Sequence, residues 1–313
     1  MKSTNRPTLP TVTIATSAYN EEANIGRLLS SLLVQKETGF RIIEIIVISD
    51  GSFDKTVEIV KSFKIPKIRL YVGHSRKGQQ ARQNQIINYF KGDILVLVEA
   101  DTLPANEYCI SEVVKPFQRN SRENIGMVVG GSWPVAPTIF FEKIIYQNTR
   151  LQRKILEKYS DGNNLYLCAG HSLRAFKRSI ATKLKWPLDA PEDAYAYLRL
   201  KESGLKILRR KKAINYMRNV THFKDRTRQS TKFLSGKKAL MKYFNQHVVE
   251  EAYQIPKIAI ISQLLIELGK SPFWTILLIL EFIFNRIYPR KISKFNPIYD
   301  VYYSTKNFNL VKN

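Results

Sequence analysis

Short apolar runs alternate with segments of helical periodicity throughout the first hundred residues. The apolar runs predict strands at 12–17, 42–49, 68–72 and 94–99, and the segments between them predict helices at 23–33, 55–63 and 80–90. Because parallel strands need a crossover connection, this alternation predicts βαβ units and a mostly parallel sheet with helices on both faces. The runs Ile42–Ile48 and Ile94–Val98 are nearly continuously aliphatic, as in strands buried on both faces. The predicted fold class is α/β.

The rest of the chain divides into two parts. A strand is predicted at 126–133, a long helix at 138–157 and mixed structure up to about residue 216. From about residue 226 onward the pattern is helical and ends in a basic, aromatic tail. We therefore predict a sheet-containing domain over residues 1–240 and a helical C-terminal segment over residues 241–313.

The net charge constrains the partners that the chain can bind. The sequence has 50 Lys and Arg against 26 Asp and Glu, a formal charge of +24, and its 44% hydrophobic content excludes global disorder. This charge predicts an anionic partner: nucleic acid, an acidic membrane surface or a phosphorylated small molecule. Two cysteines without metal-ligand spacing, and an N-terminus without an apolar leader, favour a reducing cytoplasmic environment.

Polar residues follow the predicted strands at their carboxyl ends, where an open parallel sheet binds its ligands. Tyr19, Asn20 and Glu21 follow the first strand, although Asn20 can also be explained as a helix cap. Asp50 ends the second long strand, just before Gly51. Its carboxylate suits the N–H of a base or a ribose hydroxyl, but an ordinary strand–turn–helix connection explains these residues equally well. Both interpretations stay open on the residues alone.

Two further clusters indicate anion and metal binding. The basic Arg76–Gln79 segment precedes a predicted helix, so cations and helix N–H groups meet there and form an anion site, unless the segment is simply a solvated loop. Glu99 and Asp101 close the most apolar strand of the chain. Burying two carboxylates is unfavourable unless a cation offsets them, and Mg²⁺ or Mn²⁺ is usually held by one or two carboxylates plus substrate phosphates. We therefore predict a divalent metal site.

Taken in order, these clusters resemble those of family 2 glycosyltransferases, whose nucleotide-binding domain has the Rossmann-like GT-A fold. The resemblance runs from about residue 12 to about residue 238. It implies that Glu99-Ala100-Asp101 stands for the family's Asp-x-Asp motif, with Asp101 as the metal ligand. Glutamate in the first position keeps the carboxylate and leaves the metal geometry open. The residues that the resemblance places around the donor nucleotide are Tyr19, Asn20, Glu21, Asp50, Lys77 and Glu99.

Two later motifs extend the resemblance. Gly170 and His171 are similar to the family's glycine-containing strand on the acceptor side. Glu192 and Asp193 follow Pro191 and resemble the catalytic Glu-Asp pair, in which the Asp is the base. Acidic residues are also common in a first helical turn, so the residues alone allow a purely structural interpretation of this pair.

A third motif resembles the Gln-x-x-Arg-Trp region of membrane-embedded family members. Here Gln229 is followed by Lys232 and Phe233, with Arg228 just before it. Lysine keeps the positive charge but loses the bidentate fork of arginine, so we do not predict processive synthesis. By the resemblance, Arg228, Gln229 and Lys232 lie on the acceptor or diphosphate side of the site.

The resemblance implies a metal-dependent, inverting glycosyltransferase that moves a sugar from a nucleotide-diphosphate donor to an acceptor hydroxyl, in cell-envelope or lipid-linked glycan synthesis. A sugar nucleotidyltransferase is one alternative, but it would have a Gly-rich basic loop where this chain has Tyr19–Glu22. A non-catalytic protein that binds nucleic acid or another polyanion is a second alternative. The sequence contains no helix-turn-helix, zinc-finger or RNP-like pattern, so we predict no nucleic-acid partner.

Two apolar segments raise the question of membrane binding. The first shows amphipathic spacing from Ile258 to Leu268, and the second, 272–288, is more apolar but contains Glu281. The 17 residues of the second segment would reach about 26 Å as a helix, less than the roughly 30 Å of a hydrocarbon core. These helices either pack as core in a cytoplasmic protein or lie on an anionic membrane surface at its cytoplasmic side. We favour the second because Trp274 and flanking basic residues suit such a surface.

Overall fold

The protein is described by a computed structural model at residues 9–118, 124–159, 172–287, 294–298 and 305. The strands are β1 (Thr11–Ala18), β2 (Arg41–Asp50), β3 (Ile68–Gly73), β4 (Ile94–Val98), β5 (Thr102–Pro104), β6 (Ile125–Pro134), β7 (Leu173–Lys177) and β8 (Lys206–Met217). The helices are α1 (Ile25–Leu33), α2 (Thr56–Ser62), α3 (Gln79–Tyr89), α4 (Cys109–Gln118), α5 (Phe140–Tyr159), α6 (Arg178–Ala181), α7 (Glu192–Glu202), α8 (Phe223–Leu240), α9 (Gln246–Ala252), α10 (Lys257–Lys270) and α11 (Pro272–Ile287).

All eight strands join one sheet in the order β3-β2-β1-β4-β7-β6-β8-β5. The first four neighbours pair in parallel, and so do β6 and β8. Strand β7 runs antiparallel to both β4 and β6, and β5 runs antiparallel to β8. The prediction of an α/β fold with a mostly parallel sheet is therefore confirmed, and β7 is the strand that separates its two parallel parts.

Alternate residues of the central strands enter two different cores. Ile46 and Ile48 of β2 pack on one face with residues of α3, α7 and α9. Ile45 and Val47 of the same strand pack on the other face with residues of α1 and α4. Because successive side chains of a strand point to opposite faces, a strand that is apolar at every position must be covered on both sides. Helices on both faces, as predicted, supply that cover.

The C-terminal helices contact different parts of the protein. Val249 and Ala252 of α9 belong to the same core as α7, so the chain beyond residue 240 still packs on the sheet domain. Ala259 of α10 and Leu278 of α11 form a separate small cluster with residues of α5. Within the described ranges, no helix is both long enough and apolar enough to cross a membrane. The domain boundary near residue 240 stays a prediction.

The carboxyl ends of β1, β2 and β4 lie at one edge of the sheet because these strands are parallel neighbours. The chain leaves β4 through Glu99, whose N–H donates to the carbonyl of Ser172 just before β7 (3.0 Å). Helix α7 begins at Glu192, directly after the extended residue Pro191. This edge of the sheet and the start of α7 carry most of the predicted site residues.

Candidate active site

The loops that follow β1 and β2 are locked together by hydrogen bonds. Asn20 has a positive φ of 53°. Its side-chain oxygen accepts from the N–H of Phe53 (3.1 Å), and its own N–H donates to the Ser52 hydroxyl (3.1 Å). The N–H of Glu21 donates to Thr56 Oγ1 (2.8 Å). Asn20 therefore does not cap α1, because its side chain binds the neighbouring loop instead.

Asp50 holds the loop before α3 in place. Its carboxylate accepts from the N–H groups of Lys77 (2.8 Å) and Gly78 (2.9 Å) and from Arg82 Nε (2.6 Å). Asp50 and Arg82 are both buried. The sequence predicted an anion site in this loop, and two of its N–H groups do bind an anion, but that anion is the chain's own Asp50. An external phosphate would have to bind other donors of the loop.

An aromatic and cationic surface lies beside these loops. The Arg76 guanidinium stands 4.0 Å from the centre of the Tyr19 ring, and the Phe53 ring meets Tyr19 edge-on at 6.1 Å. Phe53 is 77% exposed, and the neighbouring Lys77 side chain is exposed as well. An exposed ring beside stacked Arg and Tyr offers a flat face for a nucleobase and a positive charge for a phosphate.

The main acidic cluster joins the end of β4 to the start of α7. Loss of hydration, together with the charges of Asp101, Glu192 and Asp193, raises the pKa of Glu99 to about 8. Loss of hydration and the charge of Glu192 raise the pKa of Asp193 to about 7. The structure therefore brings both predicted pairs of carboxylates, which lie about ninety residues apart in sequence, to one place.

Arg174 lies at the centre of this acidic cluster. It is 1% exposed, pairs with Leu97 across β4 and β7, and its Nη2 stands 3.6 Å from Glu192 Oε1. Its charge lowers the pKa values of Glu99 and Asp193 and so opposes the effect of burial. Among the residues that the structure describes, its Nε and Nη1 atoms have no hydrogen-bond partner. Arg174 is thus a buried cation that the folded chain itself supplies to the cluster.

Helix α8 brings further predicted residues towards the cluster. Lys232 lowers the pKa of Asp193, which places its charge near that carboxyl. Gln229 Oε1 accepts from Arg226 Nη1 (3.3 Å), and Arg228 lies 3.9 Å from Asp225 on the same helix. Lys232 thus links α8 to the Asp193 carboxyl. Gly170 and His171 lie outside the described residues.

The carboxylates at the end of β4 suit a hard divalent cation. Burial and the charge of Asp101 both raise the pKa of Glu99, and a bound cation would offset this effect. Among the described residues, no group of three His, Cys, Asp or Glu side chains is arranged to hold a metal ion by itself. Mg²⁺ commonly binds through one or two carboxylates and completes its shell with water and substrate phosphates. The residues present therefore fit such an ion.

Sequence reasoning missed the contributions of three residues. Phe53 gives no signal beyond an aromatic residue in a loop, and Arg82 gives none beyond a charged residue in a predicted helix. Arg174 offered a usable signal, because a charged residue interrupts the apolar segment Leu173–Phe176. Buried Arg in a strand needs an anionic partner, and the partner here is Glu192.

A comparison with protein families assigns the chain to one of them. The sequence profile described as glycosyl transferase family 2 matches residues 13–184, more than half of the chain. The chain belongs to this family. The matched range begins in β1 and ends after α6, so it contains the strand-end clusters and Arg174.

Individual relatives match this chain over only part of their own length. A beta-monoglucosyldiacylglycerol synthase of Nostoc sp. is 31% identical over 124 residues, which is 38% of this chain and 25% of that protein. An uncharacterised glycosyltransferase of Haemophilus influenzae is 29% identical over 101 residues, 32% of this chain and 39% of that protein. The chain thus matches well under half of the length of these two relatives.

Solved structures agree with the fold. A mannosyltransferase of Pyrobaculum calidifontis, in complex with GDP-Man and Mn²⁺, superposes with a TM-score of 0.59 at 15% identity, over 91% of this chain and 89% of that one. A glucosyl-3-phosphoglycerate synthase of Mycobacterium tuberculosis, in complex with Mn²⁺ and UDP-glucose, gives a TM-score of 0.51 at 18% identity, over 72% and 77%. The fold is that of the GT-A glycosyltransferases.

Proposed function

We propose that the chain is a metal-dependent, inverting glycosyltransferase. It would move a sugar from a nucleoside-diphosphate donor to an acceptor hydroxyl. The observation that carries this proposal is the convergence of Glu99 and Asp101 with Glu192 and Asp193 around the buried Arg174. Family membership supports the same reaction class. The division into a catalytic domain, 1–240, and a helical segment, 241–313, belongs to the proposal.

The donor nucleotide binds at the ends of β1 and β2. The base lies against Tyr19, and Asn20 and Glu21 fix the shape of the loop beneath it. An ionised carboxylate has about four acceptor positions, and Asp50 uses three for Lys77, Gly78 and Arg82, so one position remains for a base N–H or a ribose hydroxyl. The exposed Lys77 side chain meets the diphosphate.

Asp193 acts as the general base. Inversion requires a carboxylate that takes the proton of the acceptor hydroxyl while that oxygen attacks the anomeric carbon. A pKa of about 7 leaves Asp193 ionised in a useful fraction near neutral pH and basic enough to accept the proton. Glu192, paired with Arg174, positions the start of α7 so that Asp193 faces the site.

The departing nucleoside diphosphate gains negative charge that the site must stabilise. Asp101, with Glu99 beside it, would hold a Mg²⁺ or Mn²⁺ ion, which supplies Lewis-acid stabilisation of the phosphates when bound. Lys232 approaches the same region from α8 and offsets the charge of the leaving group. Arg228 and Gln229 lie about one turn earlier on the same helix. Gly170 and His171 complete the acceptor side by family resemblance.

The acceptor that we propose is a lipid-linked or cell-envelope glycan, used at the cytoplasmic side of a membrane. A matched relative is named as a glucosyldiacylglycerol synthase, and its product class is a lipid. Structures with the same fold are solved with GDP-Man or UDP-glucose, so these two donors are the first to test. An anionic membrane surface would then be a partner of the chain.

A donor panel tests the proposal. The purified chain is incubated with UDP- and GDP-linked sugars and Mn²⁺, with and without excess chelator, and released nucleoside diphosphate is quantified. We expect one donor to be hydrolysed or transferred, and chelation to abolish the release. Formation of a nucleotide sugar and pyrophosphate from a sugar phosphate and a nucleoside triphosphate would instead identify a nucleotidyltransferase. Binding of random DNA without turnover of any donor would identify a polyanion-binding protein.

A further inference from the structure

Helix α10 exposes an apolar stripe. Ile258, Ile261, Leu265 and Leu268 recur at helical spacing, and their exposed fractions are 75%, 56%, 64% and 37%. The opposite side of the helix is buried on α5 through Ala259. Positions three, four and seven residues apart lie on one face of a helix, so the four exposed side chains form a continuous strip.

Helix α11 exposes a second stripe. Phe273, Ile276, Leu280, Ile283 and Ile287 are 58%, 50%, 55%, 46% and 74% exposed and again follow helical spacing. Helices α10 and α11 pack against each other and against α5. The two stripes lie on helices that pack against each other and are together called the apolar face; exposed apolar residues clustered in this way are typical of docking surfaces on folded proteins.

Both acidic side chains of these two helices are buried and paired with basic residues of other helices. Glu267 is 1% exposed and is paired with Lys154 of α5. Glu281 is 9% exposed, and its Oε1 lies 3.0 Å from Arg226 Nε of α8. The sequence of residues 257–287 contains no other acid. The two helices thus present no exposed carboxylate.

Exposed lysines stand beside the apolar face. Lys257 and Lys270 stand at the two ends of α10 and are exposed. Lys143 of α5 is exposed and lies 5.6 Å from the centre of the Trp274 ring at the start of α11. A half-buried Trp beside Lys is typical of helices at the boundary between lipid headgroups and acyl chains.

We propose that the apolar face docks on an anionic lipid bilayer, with α10 and α11 lying along its surface. An anionic surface complements the positive rim, whereas a second copy of a chain with a net charge of +24 would repel it. The argument for docking uses only this surface. The purpose of docking rests on the proposed function: it would bring the site close to a lipid-linked acceptor.

The test is flotation of the full chain with phosphatidylcholine vesicles that contain or lack phosphatidylglycerol. Ile276→Glu/Leu280→Glu places two acids on α11, and Ile258→Glu/Leu265→Glu does the same on α10. The matched control, Val34→Glu/Val248→Glu, adds the same two charges at exposed positions just after α1 and on α9, which are 62% and 43% exposed. Circular dichroism and thermal melting compare the folding of all four proteins.

We expect the wild-type chain and the control to float with anionic vesicles. The two double variants on α10 and α11, here called the face variants, should each remain folded and partition into the vesicles at least about tenfold less, because charge is strongly disfavoured below the headgroups. Wild-type chain that fails to float, or a control that loses as much as the face variants, overturns the proposal. A vesicle-independent dimer that the face variants dissociate assigns the face to a second copy instead. Nucleoside diphosphate release without vesicles reports separately on the proposed chemistry.

Discussion

The Asp193 carboxyl is subject to opposing effects on its protonation. Loss of hydration and the adjacent Glu192 favour its neutral form, while Arg174 and Lys232 favour the ionised form. The balance leaves a pKa of about 7, close to the value that suits a general base near neutral pH. Two cations from different elements, β7 and α8, thus control one carboxyl.

Removal of one of these cations shifts the pH dependence of turnover. A base must be ionised, so donor turnover by the wild-type chain falls as the pH drops through about 7. Lys232→Met removes a charge that lowers the pKa of Asp193, so the fall begins at a higher pH. Lys238→Met, an exposed position on the same helix, removes the same charge and leaves the profile in place. Coinciding profiles for Lys232→Met and the wild-type chain would contradict the assignment.

Asp101→Asn tests the metal site. We expect the wild-type chain to bind the donor more tightly with Mn²⁺ than with chelator, as measured by calorimetry. The variant keeps the size of the side chain but loses the anionic ligand, so its affinity for the donor becomes nearly independent of Mn²⁺. Glu107→Gln, at an exposed residue paired with Lys36, is the control that keeps the metal effect. A full metal effect in Asp101→Asn would exclude Asp101 as the ligand.

Sequence predicted the acidic site residues but not how each is used. Glu99 and Asp101 are predicted from carboxylates at the end of an apolar strand, and Glu192 and Asp193 from the family resemblance; their roles stay predictions. The detailed bonding of Asp50 could not be predicted, because it depends on Arg82 reaching back from α3. Such contacts are set by tertiary packing and leave no local pattern.

At the scale of elements, the loop before α3 owes its shape to one buried ion pair. Arg82 donates to Asp50 and also, through Nη2, to the carbonyl of Ser75 (2.6 Å). Gly78 begins the helix with a φ of 89°, a conformation that favours glycine. The loop that carries Lys77 is therefore fixed from inside the protein.

Arg82→Met should destabilise the fold. It leaves the Asp50 carboxylate buried without its cationic partner, and loss of one member of a buried pair costs about 3 kcal/mol or more. Denaturant titration measures the free energy of unfolding. Arg27→Met, on the exposed face of α1, is the control and changes it by less than about 0.5 kcal/mol. Equal stability of the two variants would mean that the pair is not needed to hold the loop.

Strands with mainly apolar side chains could be predicted from the sequence, whereas the highly charged strand β8 could not. The strands of the first hundred residues were predicted to within about two residues because apolar side chains dominate them, and β1, β2 and β4 are mostly buried. The sequence did not predict β8 as a separate strand, because four cations, Arg209–Lys212, lie in its middle. Pairing with β6 and β5 makes it a strand, and no local signal reports that pairing.

At the scale of the whole molecule, the positive charge serves several different contacts. Fifteen Lys and Arg fall between Arg199 and Lys242, and all but Arg218 and Lys242 lie in α7, β8 and α8. Arg210 pairs with Glu112 of α4, and Arg226 pairs with Glu281 of α11. Lys232 acts on the Asp193 carboxyl of the acidic cluster instead. A single block in sequence therefore contacts the sheet domain, the acidic cluster and α11.

Asp193→Asn tests the central proposal most directly, with Asp189→Asn, an exposed residue paired with Lys242, as the control. Donor affinity is measured by calorimetry, and turnover is measured as nucleoside diphosphate released to an acceptor or to water. We predict unchanged donor affinity and a turnover lower by a factor of about 10² to 10⁴, the usual cost of a lost acid–base group, while the control keeps its turnover. Wild-type turnover in folded, donor-binding Asp193→Asn would contradict the account.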